Sequence, residues 1–273
     1  MQRFMTLAMA LLVLALGGQT AQANPQTDQR LEDSRLVFES FTFLTEQSIP
    51  GWLLERAYGI VVVPRVIKGA LGIGGRGGRG VMAVRNPDGT WSNPVFVTLA
   101  GVNIGFQIGV QSTDVVLVLM SRMSVEGIAG GKVTLGADAS VAAGPMGRSA
   151  TAATDATLKA QVLSYSRNEG IFAGVALDGT VISVDNSSNV SAYGVSDILP
   201  SQILGGSPSM APAAAQAFTA SLNKATSGAA APSPAAAPAE TAPPPADPAE
   251  PGPADGATTY PMEDPEPGAP PPT

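Results

Sequence analysis

Residues 59–99 read GIVVVPRVIKGALGIGGRGGRGVMAVRNPDGTWSNPVFVTL, and this stretch decides the fold. Its two ends, IVVV at 60–63 and VFVTL at 95–99, are rich in β-branched residues, which is typical of strands. A third β-rich run, GVMAVR at 80–85, is followed at 86–89 by the turn residues NPDG. Turn residues between two β-rich runs predict a hairpin.

Residues outside this stretch contain further strand patterns and also helix patterns. Further strands are predicted over 101–110, 115–120, 132–142 and 173–184, with a short helix near 124–129 and a hairpin turn over 185–189. Upstream, the spacing of Leu31, Phe38, Phe41 and Leu44 predicts a helix that begins near Asp28, and GWLLERA at 51–57 predicts a second one. We therefore expect an α+β fold in which N-terminal helices pack on a strongly bent, barrel-like antiparallel β-sheet, followed by a disordered tail.

Both ends of the chain differ in composition from the body. Residues 1–23 combine Arg3, a short apolar run and an Ala-Gln-Ala ending, which predicts a cleaved signal peptide and export to a bacterial periplasm. Residues 24–204 form the predicted domain. Residues 205–273 are rich in proline and alanine and acidic, which predicts a disordered tail that the body does not need for folding.

Composition excludes many enzyme classes. The 273 residues include no cysteine and no histidine, so thiol nucleophiles, imidazole catalysis and Cys/His metal sites are absent. The remaining enzymatic alternative, a carboxylate hydrolase, has no recognisable pair of acids. We predict no enzyme activity, no catalytic residue, no metal and no cofactor.

Nucleic acid and nucleotide are not expected ligands. The net charge of −7 comes mostly from the tail, and the body is nearly neutral. The segment at 72–77 matches G-x-G-x-x-G, but a strand pattern follows it where a nucleotide-binding fold needs a helix. We interpret the glycine-rich segment as a curved part of the backbone.

Several segments, in this order, resemble the SYLF domain family: Ile49-Pro50, GIVVVP at 59–64, GRGGRGVMAVRNPDGTWSNP at 75–94, GFQIGVQSTDVVLVLMS at 105–121, GPMGR at 144–148 and GIFAGVALDG at 170–179. The resemblance covers about Ile49 to Tyr193. It implies a lipid-binding module, first known from eukaryotic proteins that join phosphoinositide membranes to actin patches. Those relatives commonly add an SH3 domain, whereas this chain carries a proline-rich tail.

A basic, glycine-rich segment is the first candidate lipid site. No acidic residue occurs between Glu55 and Asp88, and the stretch contains the candidate lipid-binding residues Arg65, Lys68, Arg76 and Arg79. Cationic side chains beside open backbone N–H groups can form a concavity that binds phosphate. The alternative is that these residues cover a solvated sheet rim.

The first helix is the second candidate site. Arg35, Phe38 and Phe41 would contact an anionic phospholipid membrane surface if the helix inserted there, as the N-terminal amphipathic helix does in eukaryotic relatives. The alternative is that this face packs on the sheet, and we expect Trp52 to lie in the core. Phosphatidylglycerol or cardiolipin would be the natural bacterial lipid.

These patterns predict a non-enzymatic phospholipid-binding module of the periplasm that sits peripherally on a membrane. The alternative that stays open is an envelope scaffold or protein-binding module with the tail as spacer. A protein partner for the proline-rich tail belongs to this alternative.

Overall fold

The computed structural model describes residues 24–43, 48–146, 159–168, 171–174, 177–206 and 211–227. The predicted signal peptide and the tail beyond residue 227 lie outside the described residues. The described helices are α1 (Pro25–Thr42), α2 (Gly51–Arg56), α3 (Arg122–Ala129), α4 (Asn186–Tyr193), α5 (Pro200–Leu204) and α6 (Ala213–Ser227). The described strands are β1 (Gly59–Val84), β2 (Val95–Leu119), β3 (Lys132–Thr134), β4 (Val141–Ala143), β5 (Val162–Asn168), β6 (Ile171–Gly174) and β7 (Thr180–Val184).

Strands β1 and β2 form one long antiparallel ribbon. Its register runs from Gly59 opposite Leu119 to Met82 opposite Val95, with two irregularities along the way. The short strands predicted over 60–63 and 80–85 are therefore parts of β1, and those predicted over 95–99, 101–110 and 115–120 are parts of β2. The glycine-rich residues 69–80 belong to β1 because their backbone pairs with β2, although glycine by itself weakens a strand.

The predicted hairpin turn is confirmed at one end of this ribbon. The backbone N–H of Asn86 donates to the carbonyl of Thr90 at 2.8 Å. Gly89 has a φ of +84°, a left-handed conformation that glycine adopts without strain. Asp88 accepts hydrogen bonds from the Thr90 hydroxyl and backbone N–H, which lower its pKa.

The ribbon closes on itself. A strand of 26 residues would extend about 85 Å at ~3.3 Å per residue. Instead, the N–H of Arg85, just after β1, donates to the carbonyl of Tyr58, just before β1, at 2.9 Å. Near this closure one part of β1 crosses another, and a Cβ on Gly80 would stand 2.0 Å from the carbonyl oxygen of Val62. Only glycine fits where the two ends of β1 meet.

Strand β2 is central in the sheet. On one side it pairs with β1, and on the other it pairs with β7 through Val97–Gly101 and with β5 through Asp114–Leu119. Strand β3 pairs with β7, while β4 and β6 pair with β5, and only the β4–β5 ladder is parallel among the described strands. The predicted α+β class, with N-terminal helices on a strongly bent sheet, is confirmed.

Alternating side chains of the ribbon fill two cores. Ile60 and Val62 point into the helix-side core, which contains buried residues of α1, α2, α4, α5 and α6. Val61 and Val63 point into the strand-side core, which contains buried residues of α3, β3 and β7. Because side chains alternate between the faces of a strand, the IVVV run can be buried on both sides at once.

Helix α6 extends the folded body beyond the predicted end at Leu204. Its Phe218 and Leu222 are fully buried in the helix-side core, where α6 packs against α1. The indole N–H of Trp91 donates to the hydroxyl of Thr226 at 3.2 Å. The predicted tail boundary therefore falls too early in the chain.

The composition of α6 explains why the predicted boundary differs from the observed one. Residues 213–227 read AAAQAFTASLNKATS, and their alanines resemble those of the following proline-rich tail. Alanine is nevertheless the strongest helix former, and apolar residues four apart lie on one helix face. Phe218 and Leu222 are the large apolar residues that this helix buries, and they lie four apart on one face.

Helix α4 replaces the turn predicted over 185–189. The Asp185 carboxylate caps this helix by accepting the Ser188 N–H, and Arg30 of α1 donates to it at 3.0 Å. Burial raises the pKa of Asp185, but hydrogen bonds from Ser188, Ser187 and Arg30 outweigh it and set the pKa at about 2. This tie between α1 and α4 is therefore strongest above the ordinary carboxyl pKa and weakens as the pH falls toward 2.

Truncation after Leu204 removes α6 and uncovers the α1 face that it covers. We expect the free energy of unfolding to fall by about 3–6 kcal/mol, since burial of Phe218 and of Leu222 contributes about 1.5–3 kcal/mol each. Calorimetry should show a Tm lower by roughly 10 °C or more. Truncation after Ser227 is the control and should leave the Tm within a few degrees. Equal Tm values for the two truncations would contradict the packing of α6.

Substitution of Gly80 tests the crossing of the ribbon. In Gly80→Ala the new Cβ meets the Val62 carbonyl, and we expect urea unfolding to report a loss of about 3 kcal/mol or more. Gly69→Ala is the matched control, because a Cβ there meets nothing within 4 Å on the same strand. Its stability should stay within about 1 kcal/mol of the wild type. Similar effects of both substitutions would mean that β1 does not cross itself at Gly80.

Candidate functional site

Arg65 marks an irregularity of β1. The register with β2 shifts between Val63 and Val66, and Arg65 there has a φ of +49°. Its backbone N–H donates to the Asp114 carboxylate at 3.0 Å, and its guanidinium forms an ion pair with Asp33 of α1. Arg65 is thus exposed but already paired, so it ties α1 to the ribbon.

The other three basic residues differ in their surroundings. Lys68 and Arg79 are exposed, and neither forms an ion pair within the part of the chain that the structure describes. Arg76 is half-buried, and its side chain packs over Gly101 of β2. Arg76 and Arg79 lie three residues apart on one strand, so their side chains point to opposite faces.

The backbone of this segment does not form the predicted phosphate-binding concavity. Its described residues pair with β2 as an extended strand. Successive N–H groups of such a strand point to opposite edges and therefore do not converge on one anion. The four predicted basic residues thus share a strand without sharing one pocket built from backbone N–H groups.

Arg35 is engaged within its own helix. Its guanidinium pairs with Glu32 and with Glu39, both at 2.6 Å. The hydrogen bond from Arg35 lowers the pKa of Glu32, and the pKa of Arg35 itself is raised chiefly by its bond to Glu32. The charge of Arg35 is neutralised, which leaves little attraction for a membrane phosphate.

Phe38 and Phe41 lie in the helix-side core with no exposed surface. The alternative that this helix face packs on the sheet is confirmed, and neither phenylalanine can contact a membrane in this structure. Trp52, expected in the core, is 37 % exposed instead. The sequence pattern found the apolar face of α1 but could not show that α6 and the sheet cover it.

An uncovered stretch of the ribbon is the feature that the sequence did not reveal. Val66, Leu99 and Met82 point into the strand-side core, so alternation places Ile67, Val102 and Arg79 on the opposite face. Near its ends this face is covered by helices, but Ile67 is 48 % and Val102 is 75 % exposed. On this face the ribbon therefore exposes apolar side chains and the cation Arg79, while Lys68, the neighbour of Ile67, is exposed on the other face. We call these four exposed residues, which come from both faces of the ribbon (Ile67, Lys68, Arg79 and Val102), the ribbon surface.

Membrane-spanning helices and clusters of metal-binding carboxylates are both absent from the described ranges. Within these ranges no helix has the length and apolar character needed to cross a bilayer. No three carboxylate side chains in the same ranges lie close enough to hold a metal ion.

Comparison with known proteins gives consistent matches. A family model described as "Ysc84: Las17-binding protein actin regulator" matches residues 100–225, a region that reaches into α6. Protein YSC84 of Saccharomyces cerevisiae is 39 % identical over 175 residues, which cover 63 % of this chain and 37 % of the yeast protein. SH3 domain-containing YSC84-like protein 1 of Xenopus laevis is 34 % identical over 176 residues, covering 62 % of this chain and 52 % of the frog protein. This chain thus spans roughly a third to a half of the length of these relatives.

Proposed function

Because this chain belongs to the SYLF domain family, we propose that it is a non-enzymatic module that binds the anionic phospholipid surface of a bacterial envelope membrane. The exposure of the ribbon surface is the observation on which this proposal rests. We propose further that the protein is exported by its N-terminal segment and acts in the periplasm, peripherally on the membrane.

The chemistry of the ribbon surface fits a membrane interface. Exposed apolar side chains gain free energy by entering the boundary between headgroups and acyl chains, while nearby cations attract anionic lipids. Val102 is the most exposed large apolar residue of the described chain, and Lys68 and Arg79 form no ion pair among the described residues. Helix α1 does not compete for this role, since its phenylalanines are buried and Arg35 is paired.

A second candidate is a protein-binding module of the envelope. The matching family model is described as a Las17-binding actin regulator, and a yeast relative is named LAS seventeen-binding protein 3, so both descriptions refer to protein partners. The same ribbon surface would then contact a protein, with the tail as a spacer. This candidate predicts no affinity for bare lipid vesicles.

The ribbon surface is tested by Lys68→Gln/Arg79→Gln in the chain from Asn24 onward. Each basic residue near an anionic surface contributes ~1 kcal/mol, so we expect affinity for vesicles containing phosphatidylglycerol to fall roughly 30-fold. Added salt should weaken wild-type binding in the same way. Val102→Ser should also weaken binding, by a loss that salt does not reproduce. Vesicle co-sedimentation measures all three effects.

The matched control is Lys132→Gln/Lys159→Gln, which removes the same charge from exposed positions outside the ribbon surface. Its vesicle affinity should stay within about twofold of the wild type, because distant charges are screened. Equal losses of vesicle affinity in both double variants would show that binding depends only on the net charge of the protein and not on the ribbon surface. Failure of the wild type to bind any anionic vesicle would refute the membrane proposal and favour the protein-binding candidate.

A further inference from the structure

Tyr58 joins three separate segments of the chain through its backbone. Its N–H donates to the carbonyl of Leu119, at the end of β2, at 2.8 Å. Its carbonyl accepts the N–H of Arg85, just after β1, at 2.9 Å. The closure of the ribbon thereby brings the end of α2, the hairpin turn and the start of α3 to one place.

An open cleft of about 490 Å³ lies at this junction. Three arginines from the three segments line it, Arg56 from α2, Arg85 from just after β1 and Arg122 from α3. Tyr58 and Asn86 also contribute to the lining. We call this feature the arginine cleft.

Contacts with rings and with a carbonyl hold two of these arginines in position. The Arg85 guanidinium lies 5.5 Å from the ring centre of Trp91 and donates to the Leu54 carbonyl at 3.4 Å. The Arg122 guanidinium lies 5.4 Å from the ring centre of Tyr58. These contacts orient the guanidinium groups without neutralising their charge.

The arginines of the cleft differ from four other arginines of this fold, which are paired with carboxylates. Arg30, Arg35, Arg65 and Arg167 each pair with a carboxylate. Within the described residues, Arg56, Arg85 and Arg122 form no ion pair.

Glu55 is the acidic residue among those lining the cleft. One of its carboxylate oxygens is buried without a hydrogen-bond partner among the described atoms. The cleft therefore keeps a formal charge of about +2, which an anionic ligand can neutralise.

We infer that the arginine cleft binds a phosphate monoester or inorganic phosphate. Guanidinium groups present paired N–H donors that match phosphate oxygens, and three arginines line this cleft together with Asn86. The ligand is either a lipid headgroup with a terminal phosphate or free phosphate. The headgroup version of this inference rests on the proposed function. The volume leaves room for a group larger than phosphate itself.

The first experiment titrates inorganic phosphate into the chain from Asn24 onward by calorimetry. We expect saturable binding that Arg56→Gln/Arg122→Gln weakens at least tenfold. Both side chains are exposed, so the variant should fold, and circular dichroism checks this. Glu55→Gln should strengthen binding because it removes the negative charge while keeping the shape. Lys132→Gln/Lys159→Gln removes the same charge elsewhere and should bind phosphate like the wild type.

The second experiment compares vesicles containing phosphatidic acid, a phosphomonoester, with vesicles containing phosphatidylglycerol, a phosphodiester. If the ligand is a headgroup, Arg56→Gln/Arg122→Gln should lose a preference for phosphatidic acid yet still bind phosphatidylglycerol. If the ligand is free phosphate, the variant should match the wild type on both vesicles and fail only in the calorimetry.

Two results would overturn the inference. One is a wild type that binds neither phosphate nor phosphatidic acid in preference to phosphatidylglycerol. The other is an Arg56→Gln/Arg122→Gln variant with wild-type affinity in both experiments. Phosphate binding that persists when no vesicle is bound would support the arginine cleft and refute the membrane proposal, so the two ideas fail separately.

Discussion

The crossing of β1 over itself is the constraint on which the rest of the structure depends. The Gly80 backbone packs against Val62 so closely that a Cβ would stand 2.0 Å from the carbonyl oxygen. Closure at this point joins Tyr58 to both Arg85 and Leu119. It also separates the helix-side core from the strand-side core, because both ends of the ribbon bury alternate side chains in each. Between the two ends, Ile67 and Val102 of the ribbon are exposed.

Local signals predicted much of this fold. The β-branched run at 60–63 and the NPDG turn at 86–89 act through short-range preferences, and both appear where the sequence indicated them. The strand character of 69–80 was missed because it comes from pairing with β2, a long-range contact that outweighs the low strand preference of glycine. Helix α6 was missed because its anchor is one pair of apolar residues within an alanine-rich sequence.

The candidate sites were less predictable, since charge and spacing do not show which groups are neutralised. Arg65, Lys68 and Arg79 lie in the same acid-free segment, yet Arg65 pairs with Asp33 of α1, and the other two form no ion pair within the described residues. The phenylalanines of α1 showed an apolar face but not what covers it. Arg122 stands far along the chain from Arg56 and has no local motif, so only the closure at Tyr58 reveals their proximity.

Native-state hydrogen exchange at the Tyr58 and Arg85 amides tests the closure of the ribbon most directly. If the two ends of β1 are held together as described, both amides should exchange only through global unfolding, with the same opening free energy as the buried amide of Val61. NMR can follow the three amides in one experiment. Exchange of Arg85 at an opening free energy well below that of Val61 would show a ribbon whose end opens locally. That result would contradict the closure and the arginine cleft that depends on it.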